Sequence, residues 1–268
     1  MNISGDPGSE YLSFEGRPLP IMSPVGLRDL LVDPAGPLTS LEKIRDNDMK
    51  RLSDLARRDG TTAHKKFLDR YAISQQQARS ISQDILGELA GIDKDPYADI
   101  TAAVLMIRMK VAPVVSIHLP FGGDNHIDAN LAGESADLVS SLGALRVMFQ
   151  KLATAGLADK VTFLSLNVFG RTMVGDSNGR DHNLNHSCAV MIGKGIRGGV
   201  VGGVAPKDGD YGATAIDART GVGSPSGDIA FEQTLGSLGK TLGVAVGAAP
   251  AGLETQILSG KVVQAALA

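Results

Sequence analysis

The sequence contains one cysteine, Cys188, among 268 residues, and it contains no tryptophan. A single cysteine excludes an internal disulfide framework and any zinc or iron–sulfur site built on several cysteines. No uncharged apolar run of about 18 residues occurs, so no transmembrane helix is expected. The chain has no excess of positive charge, because its 29 Asp and Glu residues outnumber its 26 Lys and Arg residues and give a formal charge of −3. This balance argues against a nucleic-acid-binding protein.

The N-terminal residues Met1 to Asp6 do not place an apolar segment after a basic one, so no signal peptide is expected there. The chain is 43% hydrophobic, and its 33 glycines follow no collagen period. Both features exclude a disordered or fibrous chain. The sequence therefore predicts a globular protein of one large domain or two small ones.

Residues 1–110 have the pattern of a helical region that packs on the rest of the chain. A short helix is predicted from Gly26 to Val32. A capping box at Thr39–Glu42 starts a second helix, whose apolar residues recur at helical spacing until Gly60. Further helices are predicted at Thr62–Tyr71, after a second capping box at Ser74–Gln77, and at Asp99–Met109.

Residues 111–268 predict an α/β domain. A strand at Val111–His118 precedes a long amphipathic helix that Gly156 ends, and a second strand follows at Lys160–Asn167. The apolar run of that second strand favours burial on both faces, so we expect a mostly parallel sheet flanked by helices. Later elements are predicted as a loop at Phe169–His186, a strand at Ser187–Ile192, glycine-rich turns after Gly198 and a last helix at Ile229–Leu242.

Two predicted loops follow strands of this domain and are rich in Asp and His. Ligands of open α/β sheets bind at the carboxyl ends of strands, so we expect these loops to lie together. Carboxylate and imidazole groups are ligands for divalent metals such as zinc, manganese or iron. The alternative is that these side chains are solvated or cap helices. The candidates are Asp124, His126 and Asp128 in the first loop and Asp181, His182 and His186 in the second.

Arg171 and Asn167 stand near the end of the second predicted strand. Arg171 has the planar guanidinium that holds an anionic oxygen, or it forms an ion pair with Asp176 or Asp181 that orders the loop. Asn167 contacts a metal or a substrate, or it forms a turn. Both choices are open from the residues alone.

Three other features have ordinary structural explanations. His118 ends an apolar strand and is expected to be half-buried, although it remains a candidate site residue. Cys188 lies in an apolar strand and is expected in the core. Gly193–Gly198 has the spacing G-x-G-x-x-G, but a dinucleotide-binding fingerprint opens a helix, and the residues that follow are typical of strands and turns.

Three ordered segments resemble motifs of the bacterial family named domain of unknown function 1501. Gly123–His126 resembles its WDTH segment, and Phe169–Thr172 resembles its EFGRT segment. Gly179–His182, followed by Met191–Gly199, resembles its GRDH…GGGxxGG segment. The resemblance extends over roughly residues 111–243.

The resemblance implies a branch of the alkaline phosphatase and sulfatase superfamily, with an α/β sandwich around a mostly parallel sheet. Related enzymes bind one or two divalent metals and cleave phosphate or sulfate esters. Asp181 and His182 then correspond to a metal-ligand pair, and Asp124 and His126 to ligands of a neighbouring metal. Arg171 would face the substrate anion. Zinc, manganese, calcium and magnesium are not distinguished.

The sequence departs from the family pattern in two places. Asn167 stands where the family usually has Glu. No strand is expected before residue 110 that would end in a metal-binding Asp and a nucleophile, so the chain resembles the later part of a longer member or a shortened relative. Family members often carry a twin-arginine export signal, which implies an exported protein.

Three functions are therefore expected in order of preference. The first is a metal-dependent hydrolase of small phosphate or sulfate esters. The second is a non-catalytic relative that acts as a binding or scaffold protein, and the third is a nucleotide-binding protein that uses the glycine run.

Overall fold

A computed structural model describes residues 2–3, 21–31, 39–79, 83–119, 121, 125–167, 169–175 and 178–268. The chain forms two compact units. The first consists of Met1–Leu119 and Ala144–Ala155, and the second of Pro120–Gly143 and Gly156–Ala268.

The first unit contains the predicted helices. The helix α2 runs from Thr39 to Asp59, so it begins in the segment predicted to start a helix and ends at the predicted stop, Gly60. The second capping box, at Ser74–Gln77, is a wrong prediction, because the helix α3 (Thr62–Arg79) continues through it. Gln and Ala are good helix formers, and they favour continuation over a new start. The other helices of this unit are α1 (Pro24–Leu31), α3 (Thr62–Arg79), α4 (Gln83–Ala90) and α5 (Ala98–Arg108).

The core of the first unit lies where α1, α4 and α5 meet. Leu89 and Leu105 are completely buried there, and Leu27 is 4% exposed. Every residue of α5 from Ile100 to Met106 is buried, as expected for a helix that is apolar on all sides. The apolar side chains of α2 and α3 behave differently, because Ile44, Leu52, Leu55 and Phe67 are exposed.

A small parallel sheet belongs to the same unit. Its strands are β1 (Asn2–Ile3), β2 (Ile21–Met22) and β3 (Ser116–Ile117), in the order β2-β1-β3. Two of these strands precede residue 110, and strands of two residues leave no apolar run in the sequence. The residues that follow β1 lie outside the described residues, so the expectation of no strand that ends in a metal-binding Asp and a nucleophile stays a prediction. The strand predicted at Val111–His118 is reduced to β3, and Val114 is exposed.

The prediction of a mostly parallel sheet core is wrong. The helix α6 (Ala132–Thr154) is followed by the predicted stop, Gly156, which has a φ of +67°. The strand β4 (Phe163–Leu164) comes next and belongs to the second unit. Its partner β7 (Met191–Ile192) runs antiparallel to it. The described residues between β4 and β7 form no helix, and a parallel pair needs a long crossover connection, which is usually a helix. Leu166 is 67% exposed, so the apolar run is not buried on both faces.

The remaining strands form two more antiparallel pairs. Inside the predicted loop, β5 (Gly170–Arg171) pairs with β6 (His182–Asn183). The strands β8 (Val204–Lys207) and β9 (Asp210–Ala213) form a hairpin whose turn, Asp208–Gly209, has positive φ at both residues. This turn confirms the prediction of short strands and turns after Gly198.

The last predicted helix is misplaced. Ile229 is completely buried and pairs through its backbone with Ile216, so the helix α7 begins only at Thr234 and ends at Ala245. Another helix, α8 (Pro250–Gln256), follows it. Among the residues that the structure describes, no helix is long and apolar enough to cross a membrane.

Candidate functional site

The strand pair β5–β6 positions the central residues of the candidate site. In its register Arg171 lies opposite His182. The pairing continues outward, because the Thr172 N–H donates to the Asp181 carbonyl at 2.9 Å and the Asp181 N–H donates to Thr172 Oγ1 at 3.0 Å. Arg171, Asp181 and His182 are therefore fixed by backbone pairing rather than by a flexible loop.

The loop around His126 docks onto this pair through main-chain contacts. The Arg180 N–H donates to the Asn125 carbonyl at 3.1 Å. Gly179 approaches the same carbonyl so closely that a Cβ would overlap it. The Asn125 side chain is 4% exposed and donates from Nδ2 to Glu134 Oε2 at 2.5 Å. The two predicted loops thus lie together, as the sequence predicts.

His126 uses both ring nitrogens within the site. Its Nδ1 lies 3.0 Å from Asp181 Oδ1, and its Nε2 lies 3.1 Å from Arg171 Nη1. Because a guanidinium only donates hydrogen bonds, Nε2 must be the acceptor. The neutral imidazole then carries its proton on Nδ1 and donates to Asp181. Asp181, His126 and Arg171 therefore form one hydrogen-bonded chain.

Phe169 contacts both His182 and Arg171. The His182 ring stacks on Phe169 with a centroid distance of 3.9 Å and lies 4.7 Å from the His126 ring. The Arg171 guanidinium carbon lies 5.4 Å from the Phe169 centroid, within the range of a cation–π contact. Phe169 therefore limits the positions of both side chains.

Asp210 connects the β8–β9 hairpin to this region. Its carboxylate accepts from the backbone N–H groups of Met173 and Val174 and from Asn183 Nδ2, the last at 2.6 Å. Desolvation raises the pKa of Asp210, but the hydrogen bonds from Val174, Asn183, Tyr211 and Met173 outweigh it, so the pKa is lowered. The ionised carboxylate supports the segments that follow Arg171 and His182.

Several other candidates have structural contacts. Asp128 caps α6, since its carboxylate accepts from the N–H of Glu134 at 2.9 Å and of Gly133 at 3.3 Å. His186 is half-buried, and its carbonyl lies against Gly170. Asn167 is exposed, with its Nδ2 3.6 Å from Cys188 Sγ. Asp124 and Asp176 lie outside the described residues.

Two burial predictions are wrong. Cys188 is exposed rather than in the core, because it lies outside β7. His118 is also exposed rather than half-buried. It belongs to the first unit, where its charge lowers the pKa of Asp99, although burial dominates and raises that pKa overall.

The described residues include no group of three or more His, Cys, Asp or Glu arranged to hold a metal ion. Asp181 and His182 fit a metal in their chemistry, because both are exposed and the His182 ring nitrogens form no hydrogen bond with described residues. His126 in its present arrangement offers no lone pair, since Arg171 engages Nε2. The assignment of these residues as metal ligands stays a prediction.

Another part of this unit is a concave region whose lining includes Asp217, Arg219, Asp228 and Lys261. Lys261 Nζ lies 2.8 Å from Asp228 Oδ2, and Asp217 accepts from the N–H groups of Arg219 and Thr220. The glycine run Gly193–Gly198 opens no helix, since the next one, α7, begins at Thr234. Neither feature favours a nucleotide site.

Sequence reasoning missed three contributors to the site. Phe169 is two residues before Arg171 in the sequence, and Asn125 directly precedes His126. Their closeness in sequence to the motif residues was the signal that could have identified them. Asp210 had no signal of this kind, because a hairpin far along the chain brings it into place.

A family model matches residues 45–219 of the chain, and its description is "Protein of unknown function (DUF1501)". The comparisons with curated proteins and with solved structures found no match.

Proposed function

Because the family match covers more than half of the chain, the protein belongs to the DUF1501 family of proteins of unknown function, and we propose that it is a metal-dependent hydrolase of small phosphate or sulfate esters. The observation that carries the proposal is that His126 contacts both Asp181 and Arg171, with Nδ1 3.0 Å from Asp181 Oδ1 and Nε2 3.1 Å from Arg171 Nη1. The likeness to alkaline phosphatases and sulfatases is part of this proposal and depends only on these motif residues, because the part of the chain that the structure describes forms no mostly parallel sheet core.

Arg171 is the residue that binds the ester oxyanion. Its guanidinium is half-buried, and its planar fork suits two oxygens of a phosphate or sulfate group. The contact with Phe169 and the 3.5 Å contact with the Arg180 carbonyl orient the fork before the substrate arrives. Orientation of this kind lowers the entropic cost of binding the anion.

Asp181 and His182 are the residues that would hold a divalent cation. They combine a carboxylate and an imidazole, a donor pair suited to zinc or manganese. A divalent cation, when bound, supplies Lewis-acid stabilisation of the ester oxygen's charge. His126 orients the Asp181 carboxylate through its Nδ1–H, and Phe169 orients His182 by stacking.

A non-catalytic binding protein is the second candidate, and two observations favour it. Asn167 supplies an amide where the family pattern has a carboxylate, so one base or ligand is missing. The Asp181 side chain is 73% exposed, so water has free access to a site that a hydrolase usually shields.

The test combines metal analysis with an activity assay. Purified wild type should contain or take up one divalent metal per chain, and D181N and H182A should lose it. Hydrolysis of an aryl phosphate or aryl sulfate should require that metal and fall at least 100-fold in R171M. D208N serves as the control, because Asn accepts the left-handed backbone at this turn.

Anion binding and metal uptake without any ester hydrolysis would contradict the hydrolase and favour the binding protein. A wild type that binds neither metal nor oxyanion would contradict both candidates.

A further inference from the structure

The helix α2 has an exposed side that is apolar at both ends and charged in the middle. Residues three or four positions apart in a helix lie on the same side of it. Ile44 and Leu52 are both 59% exposed, and Leu55 is 47% exposed. Asp48 and Arg51 lie between the two ends of this side and are also exposed. We call this set of residues the α2 face: Ile44, Asp48, Arg51, Leu52 and Leu55.

The α2 face points away from the helix on which α2 packs. Among the described elements, α2 packs mainly on α3. The half-buried residues Met49, Ser53 and Arg57 recur every four positions and mark the side that packs, where Arg57 Nη2 lies 2.5 Å from Asp69 Oδ1 of α3. With 3.6 residues per turn, this row lies on a different side of the helix from the α2 face. The α2 face is therefore accessible to a partner.

We propose that the α2 face binds the same face of a second copy of this chain, with the two helices antiparallel. Ile44 then contacts Leu55 of the partner subunit, and Asp48 contacts Arg51 of the partner subunit. The midpoint of both pairs lies between residues 49 and 50, so a single two-fold axis produces both contacts and repeats each of them. Such self-complementarity is the requirement for a symmetric dimer.

The order of the two charges on the α2 face determines the orientation. Parallel helices in register would place Asp48 against a second aspartate and Arg51 against a second arginine, and like charges in an interface oppose association. Antiparallel helices place opposite charges together at both positions. A polar pair between apolar layers lowers the stability of a helix pair but fixes its register.

The same charges disfavour a membrane surface as the partner. Helices that lie in a bilayer interface bury an uninterrupted apolar side in the lipid. Here the carboxylate of Asp48 would enter the lipid between Ile44 and Leu52, without an opposite charge from a partner helix. A second copy of the chain supplies that charge, so it fits the α2 face better than lipid does.

The first experiment measures the mass of the full chain by sedimentation equilibrium across a series of concentrations. Wild type should show a monomer–dimer equilibrium, and Leu55→Gln should raise the dissociation constant at least about tenfold, because the dimer loses two apolar contacts. Leu30→Gln is the control, since Leu30 is 69% exposed on another helix, α1, and should behave as wild type. A wild type that is still monomeric at about 0.1 mM would overturn the inference.

The second experiment exchanges the two charges. Asp48→Arg and Arg51→Asp each place like charges together twice in the dimer, so each should raise the dissociation constant at least about tenfold. The double variant restores opposite charges and should dimerise as wild type does. Lys50→Asp is the matched control, because it makes the same change of charge as Arg51→Asp at an exposed residue on a different side of the helix. A double variant that dimerises no better than the single variants would refute the pairing.

Disulfide cross-linking tests the orientation of the two helices. Ile44→Cys and Leu55→Cys are made in separate chains that also carry Cys188→Ser, because Cys188 is exposed. Oxidation of the mixture should join one chain of each kind, whereas oxidation of either chain alone should give no cross-link. A cross-link between two Ile44→Cys chains would show a parallel pair and contradict the inference.

Vesicle binding tests lipid as the other partner. Wild type should not sediment with phosphatidylglycerol vesicles, because the dimer covers the α2 face and Asp48 disfavours lipid. A monomeric wild type that binds these vesicles, with the binding lost in Leu55→Gln and kept in Leu30→Gln, would overturn the inference and assign the α2 face to a membrane surface.

Discussion

Gly179 is the point where the two loops of the site touch, and its replacement tests whether this contact builds the site. A Cβ at residue 179 would overlap the Asn125 carbonyl oxygen and lie 3.1 Å from the Asp128 nitrogen. Both neighbours are backbone, so neither can rotate away. The φ of +154° also favours glycine. We therefore expect Gly179→Ala to lower the free energy of unfolding by about 1–3 kcal/mol, the usual cost of overpacking.

The assay for this variant is urea unfolding followed by circular dichroism, together with the ring-nitrogen signals of His126. Separation of the loops should break the hydrogen bond between Nδ1 and Asp181 and shift those signals. Gly198→Ala is the matched control, because nothing lies within 4 Å of the added Cβ. If Gly179→Ala equals this control in stability and keeps the wild-type histidine signals, the contact does not position the site.

Three further predictions concern the stability of the two units. Asp210→Asn should weaken the pH dependence of stability, because folding lowers the pKa of the Asp210 carboxyl. The stabilisation from the ionised Asp210 is complete above the ordinary carboxyl pKa and is lost as the pH falls through the lower folded value. Below about pH 4, the unfolding midpoint of the variant should therefore change less with pH than that of wild type. Leu105→Ala should lower the free energy of unfolding in urea by about 2–5 kcal/mol, because Leu105 is completely buried. Leu30→Ala is the control and should leave that free energy almost unchanged, because Leu30 is 69% exposed. Equal losses in the two variants would contradict the described core. Glu254→Ala should lower the free energy of unfolding by about 1.5–3 kcal/mol, because the buried Lys240 ammonium loses its carboxylate partner at 2.6 Å and keeps the neutral Gly260 carbonyl at 3.0 Å. Lys240→Met should cost less, and the opposite order in thermal unfolding would refute this reasoning.

Helices were predictable where a local signal was sufficient. The start of α2 was predicted near Thr39, its end at Gly60 and the end of α6 at Gly156, because signals for helix ends act within a few residues. The box at Ser74 failed, because the same residues also extend a helix that has already formed. A helix end can therefore be predicted only where the signal that stops the helix outweighs the helix propensity of the residues around it.

Strand pairing was not predictable, because it depends on partners distant in sequence. The apolar run at Lys160–Asn167 favoured a parallel sheet, whereas Phe163 and Leu164 pair antiparallel with Met191 and Ile192. At the site, the sequence predicted that the loops of His126 and Asp181 meet. It could not predict that Arg171 takes Nε2, since this depends on side-chain orientation within a strand pair that the sequence did not indicate.

The carboxylate of Asp210 has a consequence for amide hydrogen exchange. It accepts the N–H protons of Met173 and Val174, so these amides are released only when the hairpin moves away from them. Their exchange with deuterium should therefore follow the opening of the β8–β9 hairpin as one cooperative event. Substitutions that loosen the distant turn at Asp208–Gly209 would then speed exchange beside Arg171 without touching the residues that face a ligand.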